Sequence, residues 1–427
     1  MKRVLIVSPY FPPSTLAGVH RARLLAKHLP AAGWQPTVLC VDEAYHAETI
    51  DVELAKLLPA DLDVVKTKAL PVRLTRLVGV GDLSLRAFYY LKASLRRTLD
   101  SRPIDVVFIT GSPFYSMLLS AWLKQQYGKP IVLDFQDPWV SGYGAAQSPL
   151  SKGGVAHRLA TRLEPRALRH ADFVTSVSDA QNAELARRYS WLDADKMVAI
   201  PIGGDADDYA QLRKRPQSGL RRTLKPGYVH FSYVGTFLPR SEVTARALFA
   251  AIALLRAKAP DLAARLRFNF IGSSNQPDDT TTYRFRPLAE AAGVADLMSE
   301  TPQRVPFFDA LDILANSDAI LLIGSDEPHY TASKIYPGLM SGRPFLSLFL
   351  GSSSAHRILV EAGGGYAFSF TTPDDLANLQ GQIAAAIRDL ATAPDAVGKP
   401  RREAIAPYTA PAIARRFADV FAAVAAR

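Results

Sequence analysis

A single cysteine, Cys40, in 427 residues excludes any disulfide within the chain. It lies inside the apolar run PTVLCVD, where a thiol reads as a small core hydrophobe, and a reducing compartment fits it. No apolar stretch approaches the roughly 18 residues that a membrane span needs. Met1, Lys2 and Arg3 are followed only by VLIVS before Pro9, too short for the apolar segment of a secretory signal, so the expected location is cytoplasmic. The eight histidines are scattered without metal-ligand spacing, and neither HExxH nor GxxxxGK[ST] occurs. The expectation is therefore no metal and no cofactor. Zinc-finger, RNA-recognition and basic-zipper patterns are missing, so nucleic acid is not expected as a partner despite a net charge of +10.

What is present is globular: 48% hydrophobic and 21% charged residues, over a length that implies two domains. Short β-type runs alternate with helical stretches. RVLIVS, PTVLCVD, LDVVK, DVVFITG, PIVLDF, DFVTSVS and MVAIP fill the first half; VHFSYVG, LRFNFIG, DAILLIG, RPFLSLF and GYAFSF fill the second. Most are continuously apolar, as strands buried on both faces of a parallel sheet are. Helical segments are expected between them, for example at residues 18–29, 158–170 and 244–259. Repeated βα units of this kind predict an α/β fold with two doubly wound, Rossmann-like parallel sheets.

Between about residues 203 and 228 the sequence turns polar, charged and rich in Gly and Pro. Boundaries fall in such stretches. The expected organisation is a first domain at 1–205, a linker at 206–224, a second domain at 225–405, and a helix at 406–427 able to pack back on the first domain. Loops at the carboxyl ends of parallel strands bind ligands, and two domains facing a central cleft would bring theirs together.

Those loops supply the candidate residues. After RVLIVS come Pro12 and Pro13, then Gly18 just ahead of an amphipathic helix, where backbone can approach an anion. His20 in that helix reads as a surface or packing residue and not as a functional one. At the end of PIVLDF and in the loop beyond it come Asp134, Asp137 and Trp139; carboxylates there can orient hydroxyls or accept a proton, and an indole can stack on a sugar face. After VHFSYVG, Gly235 and Thr236 make a tight turn and Arg240 can clamp a phosphate. After AILLIG the chain reads SDEPHYTASKIYPGLMSGRP, in which Ser333 and Lys334 open a short helix suited to a diphosphate. For each of these an ordinary turn, cap or solvated charge is the competing reading. The triplet at 363–365 lacks dinucleotide-fingerprint spacing, His356 reads as packing, and the acidic pairs Asp207–Asp208 and Asp278–Asp279 read as solvated loop carboxylates.

The order of these segments resembles the family-4 glycosyltransferases of GT-B fold, over nearly the whole chain. RVLIVSPYFPPSTLAG resembles that family's opening. PIVLDFQDPW resembles a branch carrying Asp-Phe-Arg-Asp-Pro-Trp, with Gln136 in place of the Arg. FSYVGTF, HADFVTSVS, ANSDAILLI and SKIYPGLMSGRPFLSL have counterparts in order. The resemblance implies a nucleotide-diphosphate sugar held chiefly by the second domain. It implies transfer, with retention and without a metal, to a hydroxyl acceptor (a glycan, lipid-linked sugar or small molecule) held by the first.

Carried over by position, Lys334 and Arg240 are phosphate ligands, Gly18 lies near the diphosphate, and Asp137 faces the reacting sugar. Gly235, Thr236, Ser333, Glu327 and Trp139 complete the expected binding set. One departure is sharp. The family's Glu, seven residues, Glu pattern falls here on His329 and Pro337, and proline cannot bridge two ribose hydroxyls. Glu327 or Asp326 can compensate in part. A non-catalytic binding or partner subunit, or a nucleotide-sugar epimerase of the same fold, are the alternatives. Finally, LPVRLTRLVGVGDLSLRAFYYLKASLRRTL mixes cations with large apolar residues, so an anionic membrane surface, at its inner face, is a further expected partner.

Overall fold

The computed structural model describes residues 1–274, 279–327 and 333–426. His329 and Asp278 lie outside the described residues. The chain divides into two compact units, Met1–Ile202 with Ala410–Arg427, and Gly203–Thr409.

The first unit is built on a seven-stranded parallel sheet of order β3-β2-β1-β4-β5-β6-β7. Its strands are β1 (Lys2–Val7), β2 (Trp34–Val41), β3 (Asp63–Thr67), β4 (Val106–Gly111), β5 (Ile131–Phe135), β6 (Phe173–Ser176) and β7 (Met197–Ala199). Successive side chains of a strand point to opposite faces. Leu5 and Val7 of β1 accordingly join one core layer, with Leu91 and Leu95 of the Leu83–Ser101 helix, while Val4 and Ile6 join the other. The Leu83–Ser101 helix starts at Asp82, whose carboxylate accepts the Leu85 N–H at 2.9 Å and satisfies an otherwise orphaned donor.

The second core layer contains the chain's last helix, Ala410–Ala425. Ile413, Phe417, Phe421 and Val424 recur at helical spacing and form its apolar stripe. Phe417 and Phe421 pack edge-on against Phe108 of β4.

The second unit carries a six-stranded parallel sheet of order β10-β9-β8-β11-β12-β13. These strands are β8 (Val229–Val234), β9 (Leu266–Ile271), β10 (Met298–Thr301), β11 (Ala319–Ile323), β12 (Phe345–Leu350) and β13 (Gly365–Phe370). The helices Glu242–Lys258 and Asp375–Thr392 cover one face. Residues 203–228, read above as the connection, carry the Ala206–Leu212 helix and belong to this unit. Tyr209 of that helix is buried and donates its hydroxyl hydrogen to the Pro337 carbonyl at 2.7 Å.

β10 was absent from the sequence reading. Its residues, MSET, contain no apolar run; it sits at the sheet edge, paired only to β9, where one polar side costs little. Cys40 is buried in β2, and burial pushes its thiol up to about 12, which disfavours the thiolate. No helix among the described residues is long and apolar enough to cross a membrane.

Candidate functional site

In each sheet the strand order reverses at one place: between β1 and β4 in the first unit, and between β8 and β11 in the second. Connections leave these neighbouring strands for opposite faces, which opens a crevice beyond their carboxyl ends. The four loops singled out in the sequence, after β1, β5, β8 and β11, lie at or beside these two points. Each unit is considered by itself.

In the second unit, Gly235 follows β8 with φ 143°, a left-handed conformation that favours glycine. A Cβ there would stand 3.4 Å from the aliphatic end of Lys334, so glycine also makes room for that side chain. Lys334 precedes the Ile335–Met340 helix. Its Nζ donates to the Tyr233 hydroxyl and, at 3.4 Å, to the Thr236 carbonyl; it also stands 4.1 Å from the centre of the Tyr233 ring. The Tyr233 hydroxyl in turn donates to the Thr236 carbonyl at 2.8 Å. Among the described residues these partners are neutral oxygens, and no carboxylate is bonded to Lys334. Although part of the residue's surface remains accessible, its ammonium is shielded from solvent, and this desolvation lowers the Lys334 pKa from 10.5 to about 7. Tyr233 was missed in the sequence. Its signal is faint: a hydroxyl-bearing residue next to last in a buried strand.

Arg240 lies five residues beyond Gly235. It pairs with Asp326 at 2.6 Å, and its second nitrogen is 3.9 Å from Glu327. Thr244 donates to the Gly324 carbonyl at 2.8 Å, which fastens the helix after Arg240 to the loop after β11. Arg240, Asp326, Glu327, Lys334, Gly235 and Thr236 thus gather at one switch point. Ser333 adjoins Lys334 and is half-buried. Pro337, in the first turn of the Ile335–Met340 helix, is held through its carbonyl by Tyr209.

In the first unit the switch point contains a buried polar network. Asp134, fully buried in β5, accepts from Arg21 at 3.2 Å, Thr110 at 2.8 Å and Thr175 at 2.7 Å. Arg21, also fully buried, donates as well to the carbonyls of Ile200 and Pro201 at 2.6 and 2.7 Å. Asp134 is a structural carboxylate. Gln136 donates to Thr110 Oγ1 at 2.7 Å and the Gly18 carbonyl at 3.1 Å. Gly18 takes an ordinary helical φ of −60°, and its missing side chain matters for space: a Cβ would meet the Ser112 carbonyl at 3.1 Å.

Asp137 is exposed at the start of the turn after β5. Trp139 is half-buried, with one face stacked on Phe114 at 5.5 Å and Tyr115 against its edge at 5.8 Å. His46, just beyond β2 and packed edge-on against Tyr10, was not anticipated. Its side chain is 2% exposed, its Nδ1 lies 3.3 Å from Glu48, and burial lowers its pKa. Elsewhere, Asp279 binds Ser274 at 2.7 Å and the Thr282 N–H at 2.8 Å, and these bonds hold it down to about 2. His356 is the third residue of the Ser354–Ala362 helix, and its N–H is capped by Ser353 at 3.2 Å.

Comparison with known proteins places this geometry. Residues 18–203 match the model of the glycosyl transferase 4-like domain. No curated protein sequence matches the chain. HepE of Anabaena, solved with UDP-glucose, superposes with a TM-score of 0.63 at 16% identity, covering 99% of this chain and 100% of that one. WaaG, described as a glycosyltransferase involved in lipopolysaccharide biosynthesis, gives 0.61 at 14% identity over 98% and 99%. A trehalose-6-phosphate protein from E. coli bound with UDP-2-fluoro glucose gives 0.62 at 14% identity over 98% and 99%. The chain has the GT-B fold.

Proposed function

We propose that the protein transfers a sugar from a nucleotide diphosphate to a hydroxyl acceptor, with the donor bound by the second unit. The observation that carries this reading is Lys334: a desolvated amine at the switch point, bonded to neutral oxygens and facing the loop of Arg240. An ammonium out of water and without a counter-charge is costly, and a diphosphate supplies that charge. As the glycosidic bond breaks, negative charge grows on the leaving diphosphate, where Lys334 and Arg240 stabilise it. Two protein cations make a metal unnecessary in this scheme. Glu327 and Asp326 are the carboxylates at hand for the ribose, once Arg240 turns toward phosphate. Asp137 and Trp139 of the first unit serve the acceptor, and the sugar is transferred with retained configuration. The match of the first unit to a glycosyltransferase domain model and the GT-B fold of the whole chain support this reading.

The test is a thermal-shift screen against UDP, GDP, dTDP and ADP and their sugar conjugates, followed by product analysis in EDTA. Binding to the folded state raises its melting temperature by mass action. A shift with one nucleotide and transfer of its sugar are expected. Binding without turnover would favour the non-catalytic reading that Pro337 motivates. No shift at millimolar ligand would overturn the donor site.

The amine also fixes a pH dependence. Free protein holds Lys334 near a pKa of about 7, and a diphosphate beside it raises that value. Binding therefore takes up a proton above pH 7. Affinity is expected to fall as pH rises from there, by up to about tenfold per unit. Calorimetry in buffers of different ionisation enthalpy measures the uptake; a proton count of zero at pH 8 would exclude it.

A further inference from the structure

We propose that Glu164 and Arg188 are positioning residues for sugar transfer: together they grip the backbone of Val140 and so aim Asp137 and Trp139 at the acceptor. The role rests on the transferase reading above and deepens it. Glu164 lies in the Lys152–Leu168 helix, and Arg188 ends the Asp179–Arg188 helix. Glu164 is 1% exposed. One of its carboxylate oxygens accepts the Val140 N–H at 3.1 Å; the other accepts from Arg188 at 2.6 Å and from the Tyr189 hydroxyl at 2.9 Å. The other terminal nitrogen of Arg188 donates to the Val140 carbonyl at 3.0 Å. A planar guanidinium fork reaches both acceptors at once, which a single ammonium does not. Both backbone groups of one loop residue are thus fixed by side chains from two helices, and its own side chain is buried.

Val140 closes a short loop whose other end is fixed as firmly. Gln136 donates its backbone N–H to the Gly111 carbonyl at 2.7 Å, and its amide to Thr110 and to the Gly18 carbonyl. Between these anchors lie only Asp137, Pro138 and Trp139. Pro138 locks its own φ and disfavours helical backbone at Asp137. A loop held at both ends has little freedom left to lose when an acceptor binds. Alignment is also where small errors are expensive: about 1 Å of misplacement can cost about 10²-fold in rate.

Stability alone does not call for this cluster. Burial pushes the Glu164 carboxyl up, so its charge is kept against a desolvation penalty. Apolar side chains of similar volume commonly replace a buried ion pair without loss of stability. They cannot bond the N–H and the carbonyl of Val140. That difference separates aiming the loop from holding the fold.

The test reads turnover as nucleotide release from the sugar conjugate that shifts the wild type most, with octyl glucoside as the hydroxyl acceptor. Glu164→Met, Arg188→Met and Tyr189→Phe combined replace the whole polar cluster. Melting temperature and the nucleotide-induced shift should stay near those of the wild type, while kcat falls about 10²-fold. Glu164→Gln keeps an acceptor for the Val140 N–H and should retain most of the turnover. Arg188→Lys keeps the pair with Glu164 but loses the fork; it should fold normally and lose turnover severalfold, which tests the role should the triple variant not fold. Wild-type turnover in the triple variant or in Arg188→Lys would overturn the proposal. So would a Glu164→Gln protein as impaired as the triple variant, or a loss of turnover that only tracks lost nucleotide binding. A wild type that releases no nucleotide from any conjugate would refute the transferase reading and this role with it, whereas turnover that the variants leave untouched would refute this role alone.

Discussion

Replacing Lys334 with Ala is expected to lower turnover by about 10²–10³-fold, the usual cost of removing one preorganised group that stabilises transition-state charge. Nucleotide affinity should fall with it, because the same ammonium serves the bound diphosphate and the departing one. Stability should not fall. In the free protein Lys334 is a desolvated amine whose pKa is lowered to about 7, so folding costs it part of its charge. The unfolded chain binds the extra proton between about pH 7 and 10.5, and this group's penalty is complete below pH 7 and fades as pH rises. Alanine removes the penalty. Unchanged or higher melting temperature at pH 7, together with lost turnover, is the expected pair of results. A Lys334→Ala protein with full turnover would sink the assignment; one that unfolds would make Lys334 structural. Arginine should not substitute, because its broad, planar guanidinium does not match the position that a compact ammonium takes between the Tyr233 hydroxyl and the Thr236 carbonyl.

The sequence carried the strands because parallel sheets buried on both faces leave continuous apolar runs, and β4 and β5 are buried at every residue. It hid β10 because an edge strand answers to one neighbour and tolerates Ser, Glu and Thr. Loop position was legible for the same reason as the strands: Arg240, Lys334 and Glu327 follow β8 and β11, and the switch point is where those strands end. Pairing was not legible. Nothing in the spacing of Arg240 and Asp326 says that they meet at 2.6 Å, since the contact spans the gap between two strands.

Asp134 and Asp137 looked alike in sequence, three residues apart at the carboxyl end of one strand, and the structure separates them. Asp134 is the one carboxylate in IVLDF, and Arg21 is a cation on a helix that buries Ala22, Leu25 and Ala26 around it. Two opposite charges, each stranded in an apolar element, must find each other or lose their charge. Their bond, with Thr110 and Thr175, ties β4, β5 and β6 to the Val19–His28 helix. Asp134→Ala removes the carboxylate that the buried Arg21 guanidinium bonds at 3.2 Å, and is expected to cost about 3–5 kcal/mol of stability. Denaturant unfolding reads this as a lower midpoint. Replacing both partners with apolar residues, Arg21→Met with Asp134→Leu, should recover much of the loss, since it removes the unpaired charge along with the pair. Asp137→Asn, at an exposed turn, should leave the midpoint in place and act on turnover alone. If Asp134→Ala kept the midpoint and abolished turnover, the buried carboxylate would be part of the chemistry and its network a means of aiming it.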